Sequence, residues 1–175
     1  MPFYNEADRV VDVLSILARV SNLDEIICID DGSTDNGYEK VKKHFPSIQI
    51  IHSTTNLGKS AAVAKGLTIT ATEYVLLMDA DLWNLKEHEL ENGISYIFKH
   101  PSVDMLIFRR KHDPWFSKIL RGDILVSGER IVKTENLRKI FQKNFAAYQI
   151  EIQSIITCTM RKKLRVGCFT QERMF

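Results

Sequence analysis

Apolar side chains in the first 108 residues alternate between a helical spacing and short continuous runs. Apolar residues three and four positions apart predict helices, whereas brief β-branched runs bounded by Gly, Pro or acids predict buried strands. Because single strands and single helices follow one another, the pattern predicts an α/β fold with a mostly parallel sheet flanked by helices. The predicted helices cover 6–20, 37–45, 58–71 and 86–99, the predicted strands cover 25–30, 47–52, 73–78 and 103–108, and further helices are expected over 115–125, 134–142 and 148–161.

Acidic residues follow two of the predicted strands. Asp30 and Asp31 end the first of these strands, and Asp79 and Asp81 follow the third. Parallel strands present their carboxyl ends at one edge of a sheet, where open α/β proteins bind their ligands. We therefore expect these four carboxylates to lie at one rim of the sheet, around a shared crevice.

The motif Asp79-Ala80-Asp81 has the chemistry of a divalent-cation site. Two carboxylates are hard oxygen ligands that suit Mg²⁺ or Mn²⁺, whose remaining positions are filled by water and phosphate oxygens. The small side chain of Ala80 leaves room for a ligand to approach the backbone. The alternative is an ordinary acidic loop after a strand, because two acids at this spacing are common.

Three other groups of residues have both a binding and a structural interpretation. Asp31 offers acceptors for a base imide or a ribose hydroxyl, whereas Asp35 is expected to cap the helix that begins near residue 37. Lys59, near a helix N-terminus, is either a phosphate-neutralising residue or a surface lysine. Tyr4 either packs on a base or, with Glu6, only starts the first helix.

The composition is typical of one globular domain. The chain has 175 residues, of which 45% are apolar and 26% charged, which is enough for a hydrophobic core. No apolar run approaches the roughly 20 residues that span a bilayer, and no signal-peptide pattern opens the sequence. The three cysteines are an odd number without CxxC spacing, which favours a reducing cytoplasm over a disulfide framework and predicts no zinc site.

The net charge of +2 conceals two parts of opposite sign. Residues 1–108 contain nine Lys and Arg against 16 Asp and Glu, whereas residues 109–175 contain 15 against six. The basic part is either a solvated surface or a face that meets anions, such as ligand phosphates or a membrane. Its basic run at 161–165 is expected to be a solvated helix end or a membrane-facing surface. Because no recognition motif accompanies the charge, we expect no nucleic-acid partner.

Four motifs occur in an order and spacing that resemble the family 2 glycosyltransferases of the GT-A fold. They are P-x-Y-N-E at 2–6, I-D-D-G-S-T-D at 29–35, N-x-G-K at 56–59 followed by Gly66, and D-A-D-L at 79–82. The agreement covers about the first 110 residues, and S-G-x-R at 127–130 and Y-x-x-E at 148–151 extend it thinly. The resemblance implies a Rossmann-like α/β fold in which 1–175 form a single nucleotide-sugar-binding domain.

The resemblance also implies roles for individual residues. Asp79 and Asp81 would hold the metal ion that bridges the donor diphosphate, with Asp81 acting in catalysis and Ala80 at close backbone approach. Arg109 matches a donor-binding arginine of the polyprenyl-phosphate mannosyltransferase-like branch. Glu151 would act in catalysis as a general base for an acceptor hydroxyl. The other residues implied in donor binding are Pro2, Tyr4, Glu6, Ile29, Asp31, Lys59 and Arg130, of which Arg130 would lie towards the acceptor.

The implied reaction is the metal-dependent transfer of a sugar from a UDP- or GDP-sugar to an acceptor, either a lipid phosphate or a polysaccharide precursor. The implied cofactor is Mg²⁺ or Mn²⁺, and the implied location is the cytoplasm, with peripheral contact at the inner face of the membrane. Two other interpretations stay open. One is a catalytically weak or inactive remnant of such an enzyme, and the other is a nucleotidyltransferase, although the Gly-rich basic loop usual near the start of that class is absent from the sequence.

The sequence departs from the family pattern at two places. Members normally have a short apolar strand before P-x-Y-N-E, whereas Met1 directly precedes Pro2 here. We therefore expect the usual first strand to be lacking, either because the domain is truncated at its N-terminus or because another segment takes the place of that strand. Trp83 follows D-A-D-L where the phosphomannosyl branch often has a polar side chain, which weakens placement in that branch.

Overall fold

The structure of the protein is a computed structural model that describes residues 1–108 and 129–142, together with the backbone of 164–167. Helices and strands alternate along the first of these ranges, as the hydrophobic pattern predicts. The helices are α1 (Val10–Leu17), α2 (Gly37–His44), α3 (Lys59–Ile69), α4 (Glu87–Lys99) and α5 (Thr134–Phe141). The strands are β1 (Pro2–Phe3), β2 (Ile27–Asp30), β3 (Gln49–His52), β4 (Tyr74–Leu77), β5 (Met105–Phe108), β6 (Arg130–Lys133) and β7 (Leu164–Gly167).

The contacts within the chain divide it into two compact units. The first consists of Met1–Ala71 and Met78–Glu87, and the second of Thr72–Leu77 and His88–Phe175. The chain therefore passes into the second unit to form β4 and returns to the first unit immediately after Leu77. The prediction of a single domain over 1–175 stays a prediction.

The first unit contains a fully parallel sheet with the strand order β1-β2-β3. Pro2 pairs with Ile29 in β1 and β2, and Ile29 pairs with Ile51 in β2 and β3. The ladder extends to Met1, whose carbonyl oxygen accepts a hydrogen bond from the amide of Ile29 at 2.9 Å. The position beside β2 is therefore occupied by a two-residue strand formed by the start of P-x-Y-N-E itself, as expected if another segment takes the place of the usual first strand.

Helices α1 and α3 bury apolar faces in the first unit. The face of α1 consists of Val10, Val13, Leu14 and Leu17, none of them more than 3% exposed. Each such side chain contributes about 1.5–3 kcal/mol when it is removed from water. Helix α3 packs on β2, and a Cβ at Gly66 would lie 2.9 Å from Cδ1 of Ile29. A glycine at this position therefore allows close approach of the helix to the strand that carries the first acids.

The second unit contains a mixed sheet with the strand order β4-β6-β5-β7. Strand β6 is antiparallel to both β4 and β5, and β7 is parallel to β5. Neither β6 nor β7 was predicted. Of the basic run at 161–165, Leu164 and Arg165 lie in β7 and not at a helix end, and residues 161–163 lie outside the described residues. Basic residues bound the two apolar residues of β6 and separate the two apolar residues of β7, so neither strand has a recognisable apolar run.

The predicted α/β fold class is confirmed, as are the eight elements predicted between residues 6 and 108. The largest difference in bounds is at the first helix, which begins at Val10 instead of residue 6. The helix predicted over 134–142 is also present, as α5. The helices predicted over 115–125 and 148–161 lie outside the described residues. Within the described part of the chain, no helix has the length and apolar character needed to cross a bilayer.

Cys28 lies in β2 with 0% of its surface exposed, and burial raises the pKa of its thiol to about 11. Because the thiolate is the reactive form, we expect the native thiol at pH 8 to react with a disulfide reagent at least about a hundredfold more slowly than in urea. The native rate should rise about tenfold per pH unit until the pH approaches 11. A variant with Cys158→Ser and Cys168→Ser isolates this thiol, and equal native and denatured rates at pH 8 would contradict the prediction.

Candidate functional site

The first acidic turn follows β2, and its two aspartates have different partners. Asp30 is 0% exposed; its Oδ1 accepts a hydrogen bond from the amide of Ser33 at 2.9 Å, and its Oδ2 lies 2.7 Å from Nδ1 of His52. Both oxygens of Asp30 are therefore used to shape the turn and to join it to the end of β3. Gly32 has a φ of 78°, a left-handed conformation that favours glycine. Asp30 is thus a structural residue of this turn.

Asp31, also buried at 3% exposure, binds the loop that precedes α3. Its Oδ1 accepts a hydrogen bond from the amide of Leu57 at 3.2 Å, and its Oδ2 accepts one from the amide of Gly58 at 2.7 Å. Two backbone hydrogen bonds to one carboxylate fix the position of the loop relative to the first acidic turn. The carboxylate of Asp31 consequently determines where α3 begins.

Lys59, the first residue of α3, connects this loop to the second acidic turn. Its Nζ lies 2.6 Å from Oδ1 of Asp79, and both side chains are partly exposed, at 45% and 27%. Asp31 therefore binds Gly58 while the next residue in the chain binds Asp79. The two acidic turns, which are 48 positions apart in the sequence, are joined through two consecutive residues of the first unit.

The P-x-Y-N-E segment is attached to the first acidic turn through Asn5. Its backbone has a φ of 55°, a conformation that asparagine tolerates better than most residues. The Oδ1 of Asn5 accepts a hydrogen bond from the amide of Thr34 at 2.8 Å, and its own amide donates to Oγ of Ser33 at 3.0 Å. These contacts bring the neighbouring Tyr4 and Glu6 next to the turn that follows β2.

Asp35 joins the same two segments. Its Oδ2 accepts a hydrogen bond from the amide of Ala7 at 2.9 Å, and its Oδ1 accepts one from the amide of Gly37 at 3.0 Å. The N-cap position of α2 is occupied by Asn36, so the expectation that Asp35 is the N-cap residue is wrong by one position. Its carboxylate nevertheless satisfies the first amide of the helix.

Glu6 and Arg9 lie close to the second acidic turn. Burial raises the pKa of the Glu6 carboxyl, the negative charge of Asp81 raises that pKa further, and the guanidinium of Arg9 opposes the increase. Nη1 of Arg9 donates a long hydrogen bond of 3.4 Å to the main-chain carbonyl of Asp81, and its guanidinium lies 4.7 Å from the ring centroid of Trp83. Glu6 and Arg9 thus connect the N-terminal segment with the second acidic turn.

The side chains of Asp79 and Asp81 are accessible carboxylates, which are the kind of ligand that Mg²⁺ and Mn²⁺ prefer. Asp79 is partly exposed, Asp81 is exposed, and Ala80 between them is only 4% exposed. The part of the chain with described side chains has no group of three or more His, Cys, Asp or Glu residues arranged to hold a metal ion. Mg²⁺ and Mn²⁺ do not require one, because such ions are commonly held by one or two carboxylates together with substrate phosphates and water.

The other residues expected at the site are distributed over both units. In the first unit, Pro2 is buried in β1, Ile29 is 2% exposed in β2, and Tyr4 is 43% exposed. In the second unit, Arg130 is the first residue of β6 and is 0% exposed. The predictions for Arg109 and Glu151 lie outside the described residues.

Arg9 was not predicted to be a site residue, and Asn5 was identified only as part of the P-x-Y-N-E motif, without a role of its own. The signal for Asn5 was present, because asparagine before a helix start is a residue that tolerates a positive φ. Arg9 had no such signal: its contacts are with residues more than 70 positions away, and no local pattern predicts contacts at that separation.

Comparison with known proteins gives partial matches to several glycosyltransferases. The chain is 34% identical over 85 residues to the uncharacterised glycosyltransferase YibD of Escherichia coli, an alignment that covers 46% of this chain and 24% of that protein. It is 34% identical over 93 residues to the dolichyl-phosphate beta-glucosyltransferase ALG5C of Trichomonas vaginalis, covering 46% and 28%. It is 39% identical over 82 residues to the poly-beta-1,6-N-acetyl-D-glucosamine synthase of Staphylococcus aureus, covering 45% and 20%. The chain thus aligns with about a quarter of the length of each relative.

Solved structures share the fold at low sequence identity. Glucosyl-3-phosphoglycerate synthase from Mycobacterium tuberculosis, in complex with UDP, superimposes with a TM-score of 0.77 and 17% identity, covering 99% of this chain and 70% of that one. The same enzyme with Mn²⁺ and UDP-glucose gives a TM-score of 0.76 and 18% identity, covering 97% and 67%. The sequence model of the family described as glycosyl transferase family 2 matches residues 1–164. With that match over nearly the whole chain and a GT-A-like α/β fold, the chain belongs to glycosyl transferase family 2.

Proposed function

We propose that the protein transfers a sugar from a nucleotide-diphosphate sugar to an acceptor and that Asp79 and Asp81 hold a divalent cation on the donor diphosphate. The observation that carries this proposal is the connection between the two acidic turns: Asp31 binds the amide of Gly58, and the adjacent Lys59 binds Asp79. A nucleoside at the first turn would therefore have its phosphates near the carboxylates and the ammonium of the second.

The nucleoside end of the proposed site consists of the first turn and the P-x-Y-N-E segment. Asp31 uses one lone pair on each oxygen for a backbone amide, and a carboxylate has about four such acceptor sites, so acceptors remain for a base imide. Tyr4 is exposed enough to pack on a base, and Pro2, Glu6 and Ile29 complete the proposed pocket.

The diphosphate end of the proposed site combines negative and positive groups. Asp79 and Asp81 would hold Mg²⁺ or Mn²⁺, and Ala80 leaves the backbone accessible to phosphate oxygens. A bound divalent cation neutralises the diphosphate and the charge that grows on it as the sugar departs. Lys59 is positioned by its contact with Asp79 to add a further positive charge there.

The acceptor belongs to one of two classes. One is a lipid phosphate, the class of acceptor that the name of the Trichomonas relative indicates, and the other is a growing polysaccharide, as the name of the Staphylococcus relative indicates. A hydroxyl acceptor needs a base, which we assign to Glu151, whereas a phosphate acceptor does not. Placement in the polyprenyl-phosphate mannosyltransferase-like branch depends on Arg109 as a donor-binding residue, and Arg130 is proposed to act between donor and acceptor.

We further infer that residues 1–175 act as one nucleotide-sugar-binding domain in the cytoplasm. The acidic turns and the P-x-Y-N-E segment lie in one compact unit, which supports donor binding by that unit. Transfer needs acceptor-side groups as well, which is why Glu151 and Arg130 are included in the proposal. Peripheral contact with the inner face of a membrane would bring a lipid acceptor to the domain.

Calorimetry with UDP, GDP and their sugars, in Mn²⁺ and in EDTA, tests the proposed function. We expect one of the two nucleotides to bind in Mn²⁺ with an affinity that EDTA reduces at least about tenfold, together with slow hydrolysis of the matching sugar donor. Binding without hydrolysis or transfer would instead support the inactive remnant. Equal binding in Mn²⁺ and EDTA, or no nucleotide binding, would contradict the proposed metal site.

A further inference from the structure

The segment that carries the second acidic turn, Met78–Glu87, contacts two arginines that flank α1. Arg9 precedes the helix and contacts Asp81 and Trp83, as described above. Arg19 follows the helix, and its Nε lies 3.0 Å from Oε2 of Glu87. Two parts of this segment are therefore attached to the residues that flank α1, one at Asp81 and Trp83 and the other at Glu87.

Arg9 occupies a position that is unfavourable for a cation. It is the N-cap residue of α1, where the exposed amides carry partial positive charge and an acidic or neutral side chain is preferred. Its guanidinium instead extends to the acidic segment, where it reaches a carbonyl and the face of an indole ring with different parts of one planar group.

Trp83 provides the second half of this arrangement. Its side chain is 69% exposed, although it follows the metal motif by only two positions, and it lies within the range of a cation–π contact with Arg9. Burial cannot account for how such an exposed ring is positioned. The guanidinium of Arg9 lies over the ring, and the same guanidinium donates a hydrogen bond to the carbonyl of Asp81.

We propose that Arg9 is a positioning residue, which fixes the backbone of Asp81 for cation binding by bridging the Asp81 carbonyl and the Trp83 ring. This inference depends on the proposed function, because it assumes that Asp81 holds a divalent cation. Replacing a group that orients a metal ligand, without itself touching the metal, commonly lowers the affinity of the site for the metal strongly. Arg9 acts through the main chain of Asp81, so the carboxylate itself stays available to the cation.

The sign of the effect on cation affinity distinguishes positioning from simple charge. If Arg9 acted only as a positive charge near Asp81, the variant Arg9→Ala would bind Mn²⁺ more tightly, because a repelling charge is removed. If Arg9 positions Asp81, the same variant binds Mn²⁺ more weakly despite the loss of repulsion. Arg9→Lys retains the charge but loses the planar group that reaches both partners, so positioning predicts weaker binding for this variant also.

The experiment is titration of the full chain with Mn²⁺ alone, followed by the electron paramagnetic resonance signal of the free ion. We expect the Kd for Mn²⁺ to rise about tenfold in Arg9→Ala and to rise in Trp83→Leu as well, since that variant removes the other half of the bridge. Lys42→Ala is the matched control, because Lys42 lies 5.5 Å from the ring of Tyr38 in a surface cation–π contact on α2. The control should bind Mn²⁺ as the wild type does.

An unchanged or lower Kd in Arg9→Ala, with a wild type that binds Mn²⁺, would overturn the positioning role and leave the proposed function intact. A wild type that binds no Mn²⁺, either alone or with UDP or GDP added, would contradict the proposed function itself, and the positioning role would fail with it. Thermal unfolding of each variant is measured in parallel. Because Trp83 is largely exposed, we expect Trp83→Leu to fold normally. If Arg9→Ala does not fold, the Kd of Trp83→Leu for Mn²⁺ tests the positioning role in its place.

Discussion

Replacing Asp81 by alanine is expected to reduce sugar transfer about a thousandfold, or roughly 4 kcal/mol of transition-state stabilisation, while the protein stays folded. The carboxylate is exposed, so its loss should change the free energy of unfolding by less than about 0.5 kcal/mol. The hydrogen bond from Arg9 goes to the main-chain carbonyl, which alanine retains. Activity should therefore fall because the cation ligand is lost and not because the turn unfolds.

Asp8→Ala is the matched control for this prediction. Asp8 is an acid of the same unit with a side chain that is 99% exposed and only a 3.4 Å ion pair with Lys40. The initial rate of transfer is measured at saturating donor for the wild type and both variants. Full activity of Asp81→Ala under these conditions would count decisively against a metal-binding role for Asp81.

Gly32→Ala is expected to destabilise the protein by about 3 kcal/mol, the largest stability effect that we predict for a single methyl group. The φ of 78° is unfavourable for alanine, and the added Cβ would lie 2.5 Å from the carbonyl carbon of Thr55 and 2.7 Å from the amide nitrogen of Asn56. Both are backbone atoms, so the whole loop before α3 must move. Because Asp31 binds that loop, donor affinity should fall together with stability.

Gly66→Ala provides the comparison, because the same atom is added at another glycine of the first unit. There the new Cβ would meet the terminal Cδ1 of Ile29 at 2.9 Å, which a side-chain rotation relieves, and alanine favours the helix. We expect a change of about 1 kcal/mol or less in the free energy of unfolding, measured by urea denaturation with circular dichroism. Equal stability of the wild type and Gly32→Ala would show that the turn is not constrained as described.

The elements between residues 6 and 108 could be predicted because their patterns are local. Helix α1 buries one face, and β2 is a short β-branched run next to acids, so spacing alone identifies both. Strand β1 could not be predicted in this way, since two residues carry no periodicity and the pairing of Pro2 with Ile29 is a long-range contact. Strand β6 was also not predicted, because it begins with Arg130, and the burial of a charged residue depends on contacts that are not local in the sequence.

The candidate site was predictable in its residue types and only partly in its contacts. The expectation that the two acidic turns come together followed from their positions after predicted strands, but the single sheet rim expected for them is not observed, because β2 and β4 lie in different sheets. The connecting residues, Gly58 and Lys59, were visible only as a motif, and their contacts with Asp31 and Asp79 required the folded chain. The contact of Arg9 could not be predicted at all, because nothing in the sequence around α1 indicates that this residue binds a turn more than 70 positions later.

The most direct test of the central claim is anomalous X-ray scattering from crystals grown with Mn²⁺ and the nucleotide that binds in calorimetry. We expect a manganese peak about 2.1 Å from a carboxylate oxygen of Asp81, in contact with the diphosphate, and the base beside Asp31. A nucleotide bound without manganese at Asp79 or Asp81, or with its base away from the turn after β2, would contradict the proposed site.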